Sequence, residues 1–85
     1  MTVEEIRQKT QNVVLEQLPD VDSEMLSDAS NIFSLGLDSI NAMSLVFSLQ
    51  DAFDVKFETH EISIENFQTV ADIVELLDKK RKVSS

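Results

Sequence analysis

The chain has 85 residues, and because 16 are acidic and only seven are basic, its formal net charge is -9. This length suits one domain, residues 1–85, and a single Gly and a single Pro argue against a sandwich or barrel, which needs many tight turns. An acidic surface repels nucleic acid and anionic lipid, and without cysteine the chain can form no disulfide and no thiolate metal site.

The first predicted element is a helix from about Thr2 to Leu18. Thr2 and Glu5 have the spacing of a capping box, and Pro19 ends the helix because the residue before a proline avoids helical geometry. One face carries residues at helical spacing: Val3, Ile6, Thr10, Val13, Val14 and Leu18.

The segment from Met1 to Thr10 lacks the apolar stretch of a secretory signal. No run in the sequence has the ~20 apolar residues of a membrane span. We therefore expect a cytoplasmic protein.

A long polar loop follows, from Pro19 to Leu37, with a short helical turn predicted near residues 23–26. Loops of this length in small domains are usually functional or disordered. Apolar residues interrupt it at seven positions: Val21, Met25, Leu26, Ile32, Phe33, Leu35 and Leu37. We therefore expect the loop to be attached to the core.

The second helix is predicted to begin at Asp38 or Ser39 and to end near Phe53, with Asp38 as its N-cap. One apolar face follows the helical period: Ala42, Leu45, Val46, Leu49 and Phe53. A second apolar set, Ile40, Met43 and Phe47, lies beside that face and is turned away from it.

In the last third of the chain, the pattern predicts a connector over residues 54–59, a short helix over residues 61–67 and a final helix capped by Thr69. Ile62, Ile64 and Phe67 are expected to anchor the short helix. The final helix has an apolar stripe formed by Val70, Ile73, Val74 and Leu77. The basic tail, residues 79–85, is expected to fray. The predicted fold is an all-α four-helix bundle with three long helices, a short third helix and a long loop between helices one and two.

No constellation of an enzyme active site is recognisable. The single histidine, His60, is predicted to lie on a connector as an ordinary surface residue. The carboxylates are predicted to be scattered over helix surfaces, with no pair placed for acid–base catalysis. No calcium-loop pattern is present, so no metal site is predicted.

The segment Leu35–Ile40 is the most distinctive. Its glycine, Gly36, stands three residues before Ser39, which opens a helix whose N–H groups and dipole favour a phosphate. The alternative is that Asp38 and Ser39 only cap the helix, and spacing alone favours that alternative.

The stretch from Asn31 to Ile40 resembles the phosphopantetheine attachment signature of acyl and peptidyl carrier proteins, in which a Leu-Gly and an apolar residue precede Asp-Ser-Leu or Asp-Ser-Ile. The resemblance covers nearly the whole chain. It implies that a phosphopantetheinyl transferase attaches 4′-phosphopantetheine from coenzyme A to Ser39. The thiol of the arm would then carry acyl or aminoacyl groups as thioesters, and Asp38 would help the transferase to orient the site.

The resemblance also implies partners. Loading ligases or synthases would act on the thiol, while the chain itself, expected to be a monomer, would catalyse nothing. Ile40, Met43 and Phe47 are a candidate docking stripe for partner enzymes; the alternative is that they complete the core.

Departures from the family pattern suggest a pathway. Fatty-acid carriers tend to be acidic along the Asp-Ser helix, whereas this chain has Asn41, Ser44, Ser48 and Gln50 there. We therefore favour a discrete carrier of a specialised pathway, such as polyketide, nonribosomal peptide or modified fatty acid synthesis. The alternatives are a housekeeping fatty-acid carrier and, in a different class, a non-covalent acidic helical adaptor.

Overall fold

The computed structural model describes residues 2–84, with side chains for residues 2–81. Its four α-helices are α1 (Val3–Gln17), α2 (Ser39–Phe53), α3 (Ile64–Phe67) and α4 (Val70–Ser84). Single turns of 3₁₀-helix at Ser23–Met25 and Thr59–Glu61 lie in the connections, and residues 2–84 contain no strand. The predicted all-α bundle with a short third helix is confirmed.

The start of α1 is held by the predicted capping box. The Thr2 hydroxyl accepts a hydrogen bond from the Glu5 N–H at 3.2 Å, and the Glu5 carboxylate accepts one from the Thr2 N–H at 3.2 Å. Most of the predicted face is buried, but Val3 in the first turn is 54% exposed. The helix ends at Gln17, two residues before Pro19, as the proline requires.

The core lies where α1 packs against both α2 and α4, while α3 packs against α4. From α2 it takes four buried side chains: Leu45, Val46, Leu49 and Phe53. From α4 it takes the predicted stripe: Val70, Ile73, Val74 and Leu77. Burial of these apolar stripes drives the helices together.

The long loop between α1 and α2 is bound to the rest of the fold. Leu26, Ile32 and Leu37 are buried, although Met25 is 54% exposed. The Ile32 N–H donates to the Gln68 carbonyl at 2.8 Å, and the Ala71 N–H donates to the Asp28 carbonyl at 3.0 Å. These two backbone bonds join the loop to the beginning of α4, so the segment that leads into α2 has a defined position.

The segment between α2 and α4 differs from the prediction of one helix over residues 61–67. A 3₁₀ turn ends at Glu61, and α3 begins only at Ile64, because the Ser63 hydroxyl accepts a hydrogen bond from the Asn66 N–H and starts a new helix. Phe67 is buried as expected. Ile64 is 67% exposed and anchors nothing in the core.

A half-buried ion pair attaches this segment to α4. Lys80 Nζ lies 2.6 Å from Glu61 Oε1, and each side chain is less than one-fifth exposed. The same Lys80 ammonium lies 5.6 Å from the centre of the Phe57 ring, which packs edge-on against Phe67 with ring centres 5.3 Å apart. Lys80 thus ties the 3₁₀ turn to α4, in addition to the direct packing of α3 against α4.

We expect Lys80→Met to lower the free energy of unfolding by about 1–3 kcal/mol, because it removes a charge-assisted hydrogen bond from a half-buried carboxylate. Burial raises the pKa of Glu61, but the hydrogen bonds from Lys80 and from the Glu58 N–H outweigh it, so the net pKa lies below its ordinary value. A lowered pKa stabilises the folded state above the ordinary pKa, and this stabilisation is lost as pH falls through the lowered one. Urea unfolding at neutral and acid pH measures both effects.

Lys79→Met is the matched control. Lys79 Nζ lies 3.2 Å from Glu75 Oε1, but both side chains are about two-thirds exposed, so this pair contributes little. Equal losses in the two variants, or an unchanged acid dependence in Lys80→Met, would contradict the role assigned to the Glu61 contact.

The predicted fraying of the tail, residues 79–85, stays a prediction. The helix backbone of α4 continues to Ser84, but the side chains of residues 82–84 and the whole of Ser85 lie outside the described residues. Within residues 2–84, no helix has the length and apolar character needed to span a bilayer.

Candidate functional site

The turn that precedes α2 depends on the glycine of the chain. Gly36 has φ of +119°, a backbone conformation that other residues adopt only with strain. Beyond it, the Leu37 N–H donates to the Ile32 carbonyl at 3.3 Å and the Leu37 side chain is buried. The turn therefore directs Leu37 into the core and sets Asp38 at the surface, where α2 begins.

Asp38 is the N-cap of α2. Its carboxylate accepts a hydrogen bond from the Asn41 N–H at 2.8 Å, and its carbonyl accepts one from the Ala42 N–H at 2.8 Å. An aspartate at this position satisfies a backbone donor and places negative charge at the positive end of the helix dipole. The capping function predicted for Asp38 is present in the structure.

Ser39 occupies the first helical position and takes no part in the cap. Its side chain is exposed, and its hydroxyl makes no hydrogen bond with any residue that the structure describes. The capping alternative for Ser39 therefore does not hold. Its hydroxyl lies at the head of a 15-residue helix, whose first N–H groups favour a phosphate bonded there.

The three apolar residues predicted as a docking stripe are exposed. Ile40 is 79% exposed, Phe47 is 60% exposed and Met43 is 43% exposed. They stand at positions i, i+3 and i+7 of α2, so they share one face of the helix. None of them belongs to the buried core, which α2 supplies from its opposite face.

A cleft of about 400 Å³ opens beside Ser39, between α2 and the segment that contains α3. Buried or half-buried apolar side chains form much of its wall: Phe33, Leu37, Ala42, Val46, Ile62 and Phe67. Ser39, Met43 and Ile64 also line it, and all three are exposed. An apolar cleft next to a free hydroxyl can accept an apolar group tethered to that hydroxyl.

His60 is exposed, as predicted. Residues 2–81 contain no group of three or more His, Asp or Glu side chains placed to hold a metal ion.

Comparison with known proteins bears directly on this site. The sequence profile of the family described as "Phosphopantetheine attachment site" matches residues 8–77, a range that includes the Asp38–Ser39 pair. Curated proteins named acyl carrier protein also match almost from end to end. The protein from Prochlorococcus marinus (strain MIT 9515) is 37% identical over 95% of this chain and 99% of its own length. The chain belongs to the acyl carrier protein family.

Further similarities agree with this assignment. The acyl carrier protein of Exiguobacterium sibiricum is 36% identical over 92% of this chain and 96% of its own length. The carrier also shares its fold with a chain in the crystal structure of an engineered Bradyrhizobium japonicum glycine:[carrier protein] ligase complexed with a carrier protein from Agrobacterium tumefaciens and ATP. The TM-score is 0.76 at 19% identity, covering 92% of this chain and 97% of that one.

Membership of this family means that the carrier bears a covalently attached phosphopantetheine. When bound, this group supplies the thiol on which acyl groups are held as thioesters, and the chain has no cysteine that could supply one itself. The described residues fit such a group: an exposed serine hydroxyl without a hydrogen-bond partner stands at a helix N-terminus, and an apolar cleft opens beside it.

Sequence reasoning missed two features of the site. The spacing predicts Ile64 as an anchor of the short helix, whereas its side chain is exposed, and no local pattern predicts the cleft between α2 and α3. The local signal that α3 begins late is Ser63, whose hydroxyl caps the helix by accepting a hydrogen bond from the backbone N–H of Asn66. The side on which Ile64 then lies depends on how α3 packs against α4.

Proposed function

We propose that Ser39 is the residue that carries the phosphopantetheine arm, and that the protein presents acyl groups on this arm to a series of enzymes. The observation that carries the proposal is the separation of functions at the head of α2. Asp38 supplies the cap, whereas the hydroxyl of Ser39 is exposed and makes no hydrogen bond.

The attachment step has a simple chemical balance. The Ser39 oxygen forms a bond to the phosphorus of the pantetheine phosphate in coenzyme A, the pyrophosphate bond breaks, adenosine bisphosphate leaves and the hydroxyl proton passes to a base of the transferase. The chain's own contribution is to hold the oxygen at the surface next to helix N–H groups that favour the resulting phosphodiester. We propose that the chain itself catalyses no step.

The composition of α2 favours a specialised pathway over housekeeping fatty-acid synthesis. From Ser39 to Phe53 the helix has one acidic residue, Asp51, and no basic residue. The family's fatty-acid carriers tend to be more acidic there. The relatives' shared name, acyl carrier protein, specifies no pathway.

The proposed partners are a phosphopantetheinyl transferase and a ligase or synthase that loads the thiol. The fold neighbour comes from a crystal structure in which a glycine:[carrier protein] ligase is complexed with a carrier protein, and this supports a loading ligase as a partner. For this carrier, the apolar cleft beside Ser39 favours an acyl cargo over a charged one, because burying a charge without a partner is costly. The cytoplasmic location and the monomeric state stay predictions.

Intact-mass analysis tests the proposal. After incubation with coenzyme A and a broad-range phosphopantetheinyl transferase, we expect the chain to gain the mass of one phosphopantetheine, and fragmentation to locate it on Ser39. No gain with several transferases would favour the non-covalent adaptor instead. A gain located on another serine would overturn the assignment of Ser39.

A further inference from the structure

The sulfur atoms of this chain belong to methionine alone, because the sequence has three Met and no Cys. Two of these methionines are exposed: Met25 by 54% and Met43 by 43%. The third, Met1, lies outside the described residues. An exposed thioether can be oxidised to the sulfoxide, which turns a flexible apolar side chain into a polar one. The position of each sulfur therefore decides what its oxidation does.

Met43 stands four residues after Ser39 in α2. Residues at i and i+4 are neighbours on the surface of a helix, with Cβ atoms about 5–6 Å apart. A helical Met side chain also points back toward the helix N-terminus, over the residues three and four positions before it. Both Ser39 and Met43 line the cleft of about 400 Å³ beside α3. The thioether of Met43 therefore belongs to the immediate surroundings of the Ser39 hydroxyl.

The Ser39 hydroxyl is a hydrogen-bond donor without a partner among the described residues, so it is available to a new acceptor. A thioether sulfur is only a weak acceptor and leaves the hydroxyl free. A sulfoxide oxygen carries a partial negative charge and accepts strongly. Because apolar side chains form much of the cleft wall, an oxygen introduced there without a donor would be costly, and the nearby hydroxyl can supply one.

We propose that Met43 is an oxidation site that controls arm attachment, because its sulfoxide oxygen accepts a hydrogen bond from the Ser39 hydroxyl. The Met43 sulfur attacks one oxygen of a peroxide such as hydrogen peroxide, the O–O bond breaks, an S–O bond forms and water leaves. Sulfur is thereby oxidised and the peroxide is reduced. The Ser39 proton must then leave the sulfoxide before a transferase base can take it, so attachment slows. The proposal rests on the proposed function, since arm attachment is the step it controls.

The test uses hydrogen peroxide on the chain before arm attachment. The peroxide is removed, and fragmentation mass spectrometry identifies the purified species with one added oxygen on Met43. A broad-range phosphopantetheinyl transferase with coenzyme A then gives kcat and KM for arm attachment. We expect kcat to fall about five- to tenfold, the factor that corresponds to one ordinary hydrogen bond, and KM to change by less than about twofold. Treatment with methionine sulfoxide reductases should restore kcat.

Met25 is the matched control. It is more exposed than Met43, but it lies in the 3₁₀ turn of the long loop and does not line the cleft. A chain oxidised on Met25 alone should keep kcat within about twofold of the untreated chain. Met43→Leu, which retains Met1 and Met25, should have the same kcat before and after peroxide. Circular dichroism and thermal unfolding of each oxidised species show that the fold is kept.

Three results would overturn the inference while leaving the proposed function intact. In the first, the untreated chain is modified on Ser39 and the chain oxidised on Met43 reacts as fast. In the second, KM rises with kcat unchanged, so the sulfoxide disturbs the contact with the transferase and leaves the hydroxyl unaffected. In the third, Met43 resists a peroxide dose that oxidises Met25 completely, or its oxidation unfolds the chain. If the untreated chain gains no mass with several transferases, the proposed function itself fails.

Discussion

Ser39→Ala is expected to abolish attachment of phosphopantetheine completely, while the chain remains folded. The substitution removes the oxygen to which the arm would be bonded, and no neighbouring hydroxyl occupies the same position at the head of α2. Stability should change by less than about 0.5 kcal/mol, because the side chain is exposed and makes no hydrogen bond with the described residues. Intact-mass analysis after transferase treatment and thermal unfolding measure the two effects.

Ser34→Ala is the control for this experiment. Ser34 is also exposed, stands five positions earlier in the same signature segment and makes no side-chain hydrogen bond with the described residues. It should be modified as fast as wild type. Residual mass gain in Ser39→Ala would show that another residue accepts the arm, and a large loss of stability would show that Ser39 supports the fold.

Ile32→Ala should be the most destabilising substitution in the long loop, lowering the free energy of unfolding by about 2–5 kcal/mol. Ile32 is fully buried, and its backbone N–H bond to Gln68 is kept in the variant, so the loss reports the side chain alone. A domain of 85 residues has only about 4–13 kcal/mol in total, so the variant loses a large share of its stability. Since the chain has no Trp and no Tyr, urea unfolding is followed by far-UV circular dichroism.

Ile40→Ala provides the matched comparison, because it removes the same atoms from a side chain that is 79% exposed. Its free energy of unfolding should change by less than about 0.5 kcal/mol. Similar losses for the two isoleucines would mean that the loop between α1 and α2 is not packed into the core in solution. If Ile32→Ala lowers the free energy of unfolding by less than about 1 kcal/mol, the same conclusion about the loop follows.

Features encoded by neighbouring residues were predictable from the sequence. The capping box of Thr2 and Glu5, the cap at Asp38 and the cap at Thr69, whose hydroxyl accepts from the Asp72 N–H at 3.1 Å, all formed as expected. Each depends on residues three positions apart, so their geometry follows once the helix forms. The short helical turn predicted near residues 23–26 is also present, at Ser23–Met25, although no side chain caps it.

The site around Ser39 was only partly predictable from the sequence. The position of Ser39 at the head of α2 followed from the Leu35–Ile40 segment, but spacing alone favoured a capping role for it. The structure separates the two roles, because the carboxylate of Asp38 reaches the Asn41 N–H and leaves the hydroxyl of Ser39 unbonded. Two adjacent residues that could both cap cannot be told apart by spacing.

By itself, then, the sequence determined where the long helices begin, where α1 and α2 end, which stripe of α1 and of α4 turns inward, and which hydroxyl opens α2. Tertiary packing alone decided that Phe47 and Ile64 remain at the surface and that a cleft opens beside Ser39. The physical reason is that periodicity marks an apolar face without saying whether another helix covers it. In this fold the face of α2 that carries Leu45 and Leu49 is buried in the core, and the face that carries Phe47 is left exposed.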